Sequence, residues 1–181
     1  MALGNSLPFG LRDVKIFSLD ASGDRVVPGV DLPASRVFSF KEVVESEQLE
    51  GDDQIQASHE YNPTVEWELE GGGISLEAYA ALAGGTVITS GTTPAQVKTY
   101  SKTKNQARPY FEVEGQAISD SGGDLHAIVY RCKADGDIEG GFENGNFLLT
   151  KAAGKGYGQV GDEGKLYDFV QNETVAAIVN A

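Results

Sequence analysis

TVEWELEGGGISLEAYAALAGG, residues 64–85, decides the fold class. Its first half alternates without error: Val65, Trp67 and Leu69 fall on one side, Glu66, Glu68 and Glu70 on the other. That period of two belongs to a strand with one buried and one solvated face. Gly71–Gly73 break it, and the period then changes. Ser75 is placed to cap a helix over about residues 75–83, with Glu77 in the first turn, where the helix dipole favours an acid. Ile74 and Tyr79 have the spacing of a hydrophobic staple, and Gly84–Gly85 end the helix. Leu76, Tyr79, Ala80 and Ala83 form its apolar stripe. Two to three turns do not hold themselves, so the helix must pack on the strand before it. The expected core is Val65, Trp67 and Leu69 with Leu76, Tyr79 and Leu82.

Upstream, Ile55, Ala57, His59 and Tyr61 alternate with Gln54, Gln56, Ser58 and Glu60, and Pro63 interrupts that strand. A β-rich run from Arg36 to Gln48 precedes it, with Gly51–Asp53 as the turn. LRDVKIFSL (11–19) reads as a further strand and DASGD (20–24) as a turn. The Gly- and Pro-punctuated residues 1–10 read as an extended arm. Downstream, strands are expected at 86–90, 95–101, 108–118, 124–134, near 138–142 and at 146–152. Turns at DSGGD (120–124), ADGD (134–137) and ENGN (143–146) join them. Residues 152–165 read as loop, and LYDFV and TVAAIV as two last strands or a strand and an arm. The spacing predicts a mostly β chain, a β-sandwich or barrel with one short flanking helix. Residues 11–181 form one domain, with 158–181 as a C-terminal arm or completing strands.

The 181 residues suit one core, and 23 glycines fit many turns. The net charge of −13 is uneven: residues 1–90 carry 15 acids and 5 bases, and 91–181 carry 12 and 9. So acidic a chain is unsuited to gripping nucleic acid. Cys132 is alone, which excludes an intrachain disulfide. The N-terminus lacks the basic and apolar regions of a secretory signal, and no run approaches a membrane span, so a soluble protein is expected.

Catalytic and metal chemistry find no support in the motifs. The fragments around Asp20–Asp24, Asp120–Asp124 and Asp135–Asp137 complete no EF-hand and read as Asp-Gly turns. His59 and His126 stand singly in strands, and Cys132 reads as a packed hydrophobe. GKGYG (154–158) lacks the strand-to-helix setting of a phosphate loop. No catalytic residue, metal ligand or cofactor is therefore assigned.

One feature remains. EVVESEQLEGDDQ (42–54) holds six carboxylates and no Lys or Arg. Ser39, Lys41, Glu45 and Glu47 share one face of this strand and Phe38, Phe40 and Val44 the other, which leaves Glu42 on the apolar side unless a bulge turns it. A solubilising edge uses Lys as readily as Glu. With Glu60 and Glu66–Glu70, the acids suggest a continuous negative wall.

GDDQIQASHEYNPTVEWELEGGGISLEAYAALAGG (51–85) and FEVEGQAISDSGGDLHAIVYRCKADGDIEGGFENGNFLLTKAAGKGYG (111–158) resemble the major tail proteins of long, flexible-tailed double-stranded DNA bacteriophages, above all those of actinobacterial hosts. The likeness runs from about Phe9 to Tyr157, and VEWELEGGGISLEA and FEVEGQAISDSGGDLHA are its most specific runs. It implies a virion tail protein, assembled in the host cytoplasm into hexameric rings that stack as a tube. Part of each subunit's sheet would join its neighbours' in a closed barrel around the channel. Partners would be further copies of itself, the tape-measure protein, and the tail terminator and tail-tip proteins. Double-stranded DNA would pass without sequence-specific binding, and no membrane is involved. On this reading Glu42, Glu45, Glu47, Asp52, Asp53, Glu66 and Glu68 line the channel and keep the duplex mobile. Leu7, Pro8, Phe9, Glu50 and Gly51 contact neighbouring subunits or rings. The chain ends before the additional immunoglobulin-like domain that many relatives carry. The alternatives are a single-ring tail terminator or head–tail joining protein, and a monomeric β-sandwich that binds carbohydrate.

Overall fold

Val65, Trp67 and Leu69 lie at the centre of an antiparallel sheet, in a computed structural model that describes residues 4–51, 54–136, 138, 144–161 and 164–179. The fold is mostly β with one short helix. Its strands are β1 (Pro8–Ser18), β2 (Val30–Asp31), β3 (Ser35–Gly51), β4 (Gln54–Gly72), β5 (Thr86–Ser90), β6 (Val97–Ser101), β7 (Phe111–Ser119), β8 (Asp124–Ala134), β9 (Leu149–Gly156) and β10 (Tyr167–Asn172). The helix α1 is Leu76–Ala83. Eight strands make one sheet in the order β2-β1-β7-β8-β9-β4-β3, with β10 also pairing to β8. β5 and β6 form a separate hairpin.

The sheet does not lie flat. Arg131 takes a left-handed conformation (φ 44°) where the β7–β8 register slips between Val113 and Phe111. One edge of β8 is shared on either side of this bulge: Asp124–Val129 pair with β10, and Cys132–Ala134 with β9. Bulges bend strands and increase twist. The far half of the sheet folds back until the Phe38 ring of β3 occupies the space a side chain at Gly115 of β7 would need. The core enclosed between them includes Val14, Ile16, Leu32, Val65, Trp67, Leu69, Phe111, Val113 and Val129.

α1 forms as its cap residues dictate. The Ser75 Oγ accepts from the Ala78 amide at 3.2 Å, and Gly84 (φ 76°) ends the helix with its amide on the Ala80 carbonyl. The buried face differs from the expected stripe: Ala78, Ala81, Leu82 and Ala83 are buried, while Leu76, Tyr79 and Ala80 are half-buried. The reason is that α1 has two neighbours. Small alanines admit it close to the core, and Tyr79 turns to Tyr100 of β6, with ring centroids 6.1 Å apart.

Two other expectations are corrected. Pro63 does not end a strand: β4 runs through it, because Asn62 adopts φ 51° and the β3–β4 register absorbs one extra residue between Tyr61 and Thr64. The extra residue reverses the phase of the strand. Ala57, His59 and Tyr61 therefore share a face with Glu66 and Glu68, not with Trp67, and a second slip, between Leu49 and Glu50, puts Ile55 on the other face. Residues 152–156, read as loop, are the second half of β9, paired with Val65–Leu69. Their small side chains are what the site requires, since a Cβ at Gly154 would lie 2.7 Å from the Trp67 ring and 2.1 Å from the Lys133 carbonyl. Of the two alternatives left open at the C-terminus, a strand and an arm is the one present: Tyr167–Asn172 is a strand, and 175–179 is irregular and laid on the body, with Ile178 buried. Of the strand expected near 138–142, Ile138 is not in a strand and the rest lies outside the described residues.

Candidate functional site

β3 and β4 outgrow the sheet. β9 accompanies β4 only as far as Val65, opposite Gly156, so residues 44–51 and 54–63 form a two-stranded ribbon with no third strand among the described residues. Its described side chains are exposed on both faces, with Leu49 and Ile55 65% and 59% exposed. A two-stranded ribbon is marginally stable alone in water. β3 is also the edge of the sheet, so the outer backbone groups of a 17-residue strand have no ladder partner among the described residues.

The expected channel residues divide into three groups. Glu45, Glu47, Glu66 and Glu68 are brought onto one face of the β3–β4 hairpin by the bulge at Asn62. Glu42 is not on that face: the register slip follows it, at Val43/Glu45, and it stays beside Phe40, where its Oε2 accepts a hydrogen bond from the Tyr167 hydroxyl at 3.1 Å. Asp52 and Asp53 lie outside the described residues.

The face is less uniformly negative than its acids suggest. Glu66 pairs with Lys41 at 2.8 Å, and Glu70 with Lys151 at 3.0 Å and Arg36 at 3.4 Å. The hydrogen bond from Lys41, with its charge, holds the Glu66 carboxyl below the usual range. Glu45, Glu47, Glu50, Glu60 and Glu68 have no such cation among the described residues. The sequence explains why: no Lys or Arg occurs from Glu42 to Val97. The unbalanced acid is concentrated on the ribbon.

The expected contact residues are placed at two ends. Glu50 stands near the ribbon's tip, opposite Ile55, and Gly51 pairs with Gln54. Leu7, Pro8 and Phe9 lie along β7: the Leu7 amide donates to the Ser119 Oγ at 2.9 Å, and Pro8 and Phe9 pair with Ser119 and Ile118. The backbone of this segment is fixed on the body while the Leu7 and Phe9 side chains stay 61% and 79% exposed.

A polar group missed from sequence lies on the other face of β7 and β8. Glu112, Glu114, Gln116, Asp124 and His126 are all buried. Arg25 binds both Glu112 and Glu114, with its Nη1 2.7 Å from Glu114 Oε2. The His126 ring contacts Glu114 through Nδ1 at 2.7 Å and Asp124 through Nε2 at 3.1 Å. Asp124 also accepts from Gln116, Asn172 and the Ala176 amide. The Ala176 carbonyl accepts from Gln116 at 2.7 Å, so the network clasps the C-terminal segment by its backbone. Its sequence signal was a His and acids at same-face positions of adjacent strands. The segment that buries them comes from 50 residues further on, which no local pattern reveals. His126 as a satisfied strand histidine, the expected reading, is what the structure holds.

This clasp gives a pH dependence. Burial alone would lower the His126 pKa, but hydrogen bonds to Glu114 and Asp124 outweigh it and raise it above its ordinary value. Burial would raise Asp124, but its four hydrogen-bond donors outweigh that and lower it. A raised histidine stabilises fully below its unfolded value and ceases to as pH rises through the folded one. A lowered aspartate stabilises above its unfolded value and ceases to as pH falls through the folded one. The segment is therefore held most firmly from about pH 4 to about 6.5, between the ordinary values of the two groups. The protection factor of the Ala176 amide, its exchange relative to the intrinsic rate at each pH, should be highest there, and His126→Gln should remove the loss of protection on the alkaline side. An unchanged alkaline slope in that variant would rule the mechanism out.

A third cluster combines cations and rings. Arg131 and Lys133 lie over the Tyr110 ring at 4.7 and 4.9 Å from its centroid, and Tyr157 meets Tyr110 edge-on at 6.3 Å. No family model matches the chain, and no curated protein matches it.

Proposed function

We propose that the chain is the structural subunit of a phage tail tube: hexameric rings stack, and the genome passes through their lumen at ejection. The observation that carries this is the ribbon at residues 44–51 and 54–63, with no third strand among the described residues and continuous with the open edge of β3. Long exposed strand edges and apolar ribbon residues are liabilities in a monomer. They are natural in a protein whose neighbours complete it. In this reading the curled sheet is the family's β-sandwich, and β8, β9, β4 and β3 join their counterparts in adjacent subunits as a closed barrel, which abolishes the edge. The face bearing Glu45, Glu47, Glu66 and Glu68 looks into the channel. Glu42, turned to Tyr167, does not. The ribbon tip at Glu50 and Gly51 and the exposed Leu7 and Phe9 meet the next subunit or ring, and the tape-measure, terminator and tail-tip proteins are the further partners. The resemblance of residues 51–85 and 111–158 supplies the hexamer and the DNA; the ribbon and edge supply the need for a neighbour.

Negative-stain imaging of the purified protein tests it, with tubes expected. Single rings that never stack would instead favour a terminator or joining protein. Particles that stay near 19.2 kDa at every concentration would refute assembly. Removing residues 46–60 and closing the ribbon with a two-residue turn should leave a folded subunit that forms no long tubes.

A further inference from the structure

The geometry points to a phosphate-contact site for nucleic acid on the sheet face, formed by Arg131, Lys133 and Lys155 beside Tyr110 and Tyr157. Lys133 of β8 and Lys155 of β9 are direct cross-strand partners. Like charges placed directly opposite one another are destabilising. No ion pair involves Lys133, Lys155 or Arg131 among the described residues, although the Glu66 carboxylate is close enough to feel the charge of Lys155. Lys155 is also the register partner of Glu66, but that carboxylate is engaged by Lys41. Reading across the four strands, the row is Lys133, Lys155, Glu66, Lys41, with three cations to one acid.

A second, independent feature is conformational. Arg131 holds a left-handed backbone (φ 44°) in the middle of a strand. A non-glycine residue is kept there only at an energetic cost, and such positions gather at functional sites. The bulge brings its guanidinium to the same ring as the Lys133 ammonium. Tyr110 and Tyr157 remain 37% and 43% exposed, so the cluster is open to solvent. In a protein with net charge −13, Arg131 and Lys133 over the Tyr110 ring, with Lys155 opposite Lys133 on the next strand, form a local anion site. Arg matches phosphate by its planar fork and Lys as a point charge.

The choice of DNA as the anion rests on the tube reading, in which this face looks into the channel. Rings of acid from the ribbon would then alternate along the lumen with rings of cation from this site, giving the duplex weak, quickly exchanged contacts. The test uses free subunits and a short fluorescein-labelled DNA duplex, with anisotropy measured across a salt series. Three neutralised phosphates predict a log–log salt slope of about −2.7. Each of Arg131→Ala, Lys133→Ala and Lys155→Ala should reduce that slope by about 1 and weaken binding. The triple variant should lose binding while remaining folded, with a cooperative melting transition. Absence of duplex binding in the wild type, or equal binding in the variants, overturns the site. Binding of polyglutamate but not of duplex would give the surface to an acidic protein partner and also overturns it. The titration precedes assembly, so a failure to form tubes counts against the tube reading and a failure to bind counts against this site.

Discussion

Trp67→Ala should lower the stability of the subunit by about 3–5 kcal/mol, the range for truncating a large buried aromatic. Trp67 is 3% exposed, and its ring meets Phe111 edge-on at 5.4 Å and 75°. It covers Gly154 on the neighbouring strand, where no side chain can move in to fill the space. The cavity would therefore stay open, and the penalty should fall in the upper part of the range. A domain of this size has about 5–15 kcal/mol in total, so much of the population would unfold on modest heating. Trp67→Phe should cost less. The indole Nε1 is buried without a hydrogen-bond partner, so phenylalanine removes an unsatisfied donor while it loses volume. Urea denaturation of the three proteins measures this. An alanine variant within 1 kcal/mol of wild type would show that Trp67 does not support the core.

What was legible in the sequence depended on how local the determining interaction is. The 64–70 alternation and the Ser75 cap are settled by neighbours within a few residues, and both stand in the structure. Asn62 shows the limit. Its positive φ adds one residue to the strand, and Pro63 beside it resembles a stop when only the chain is visible. The second half of β9 was missed for a different reason: Ala152, Gly154 and Gly156 are small because they lie close to neighbouring backbone and side chains, so this stretch lacks the β-branched residues that mark a strand. The helix stripe was rotated because its second neighbour, the β5–β6 hairpin, is not visible in the helix's own periodicity. Of the candidate site, the acid of the ribbon was plain. That Lys151 and Arg36 neutralise Glu70, and Lys41 Glu66, depends on register across three strands. The separation of Glu42 from Glu45, by contrast, follows from alternation along β3 alone.

Replacing Glu45 and Glu47 with lysine should let tubes form and yet slow the passage of DNA. Both residues are exposed and have no ion pair among the described residues, so folding should change by no more than about 0.5 kcal/mol. The ribbon face would change from two negative charges to two positive ones in every subunit, and a hexamer repeats that change around the channel. In the proposed tube, screening over about 8–10 Å at physiological salt confines the effect to DNA that passes close to the wall. Each lysine that neutralises a phosphate releases a counterion, so the wall becomes adhesive and the adhesion weakens steeply as salt rises. Phage carrying the double variant should eject DNA slowly at low salt and approach the wild-type rate at high salt. Glu42→Lys is the internal control. It lies on the opposite face, against Tyr167, and should leave ejection unchanged. Equal ejection rates for the double variant and wild type at low salt, or retardation by Glu42→Lys as large as that by the pair, would show that the ribbon face does not meet the DNA.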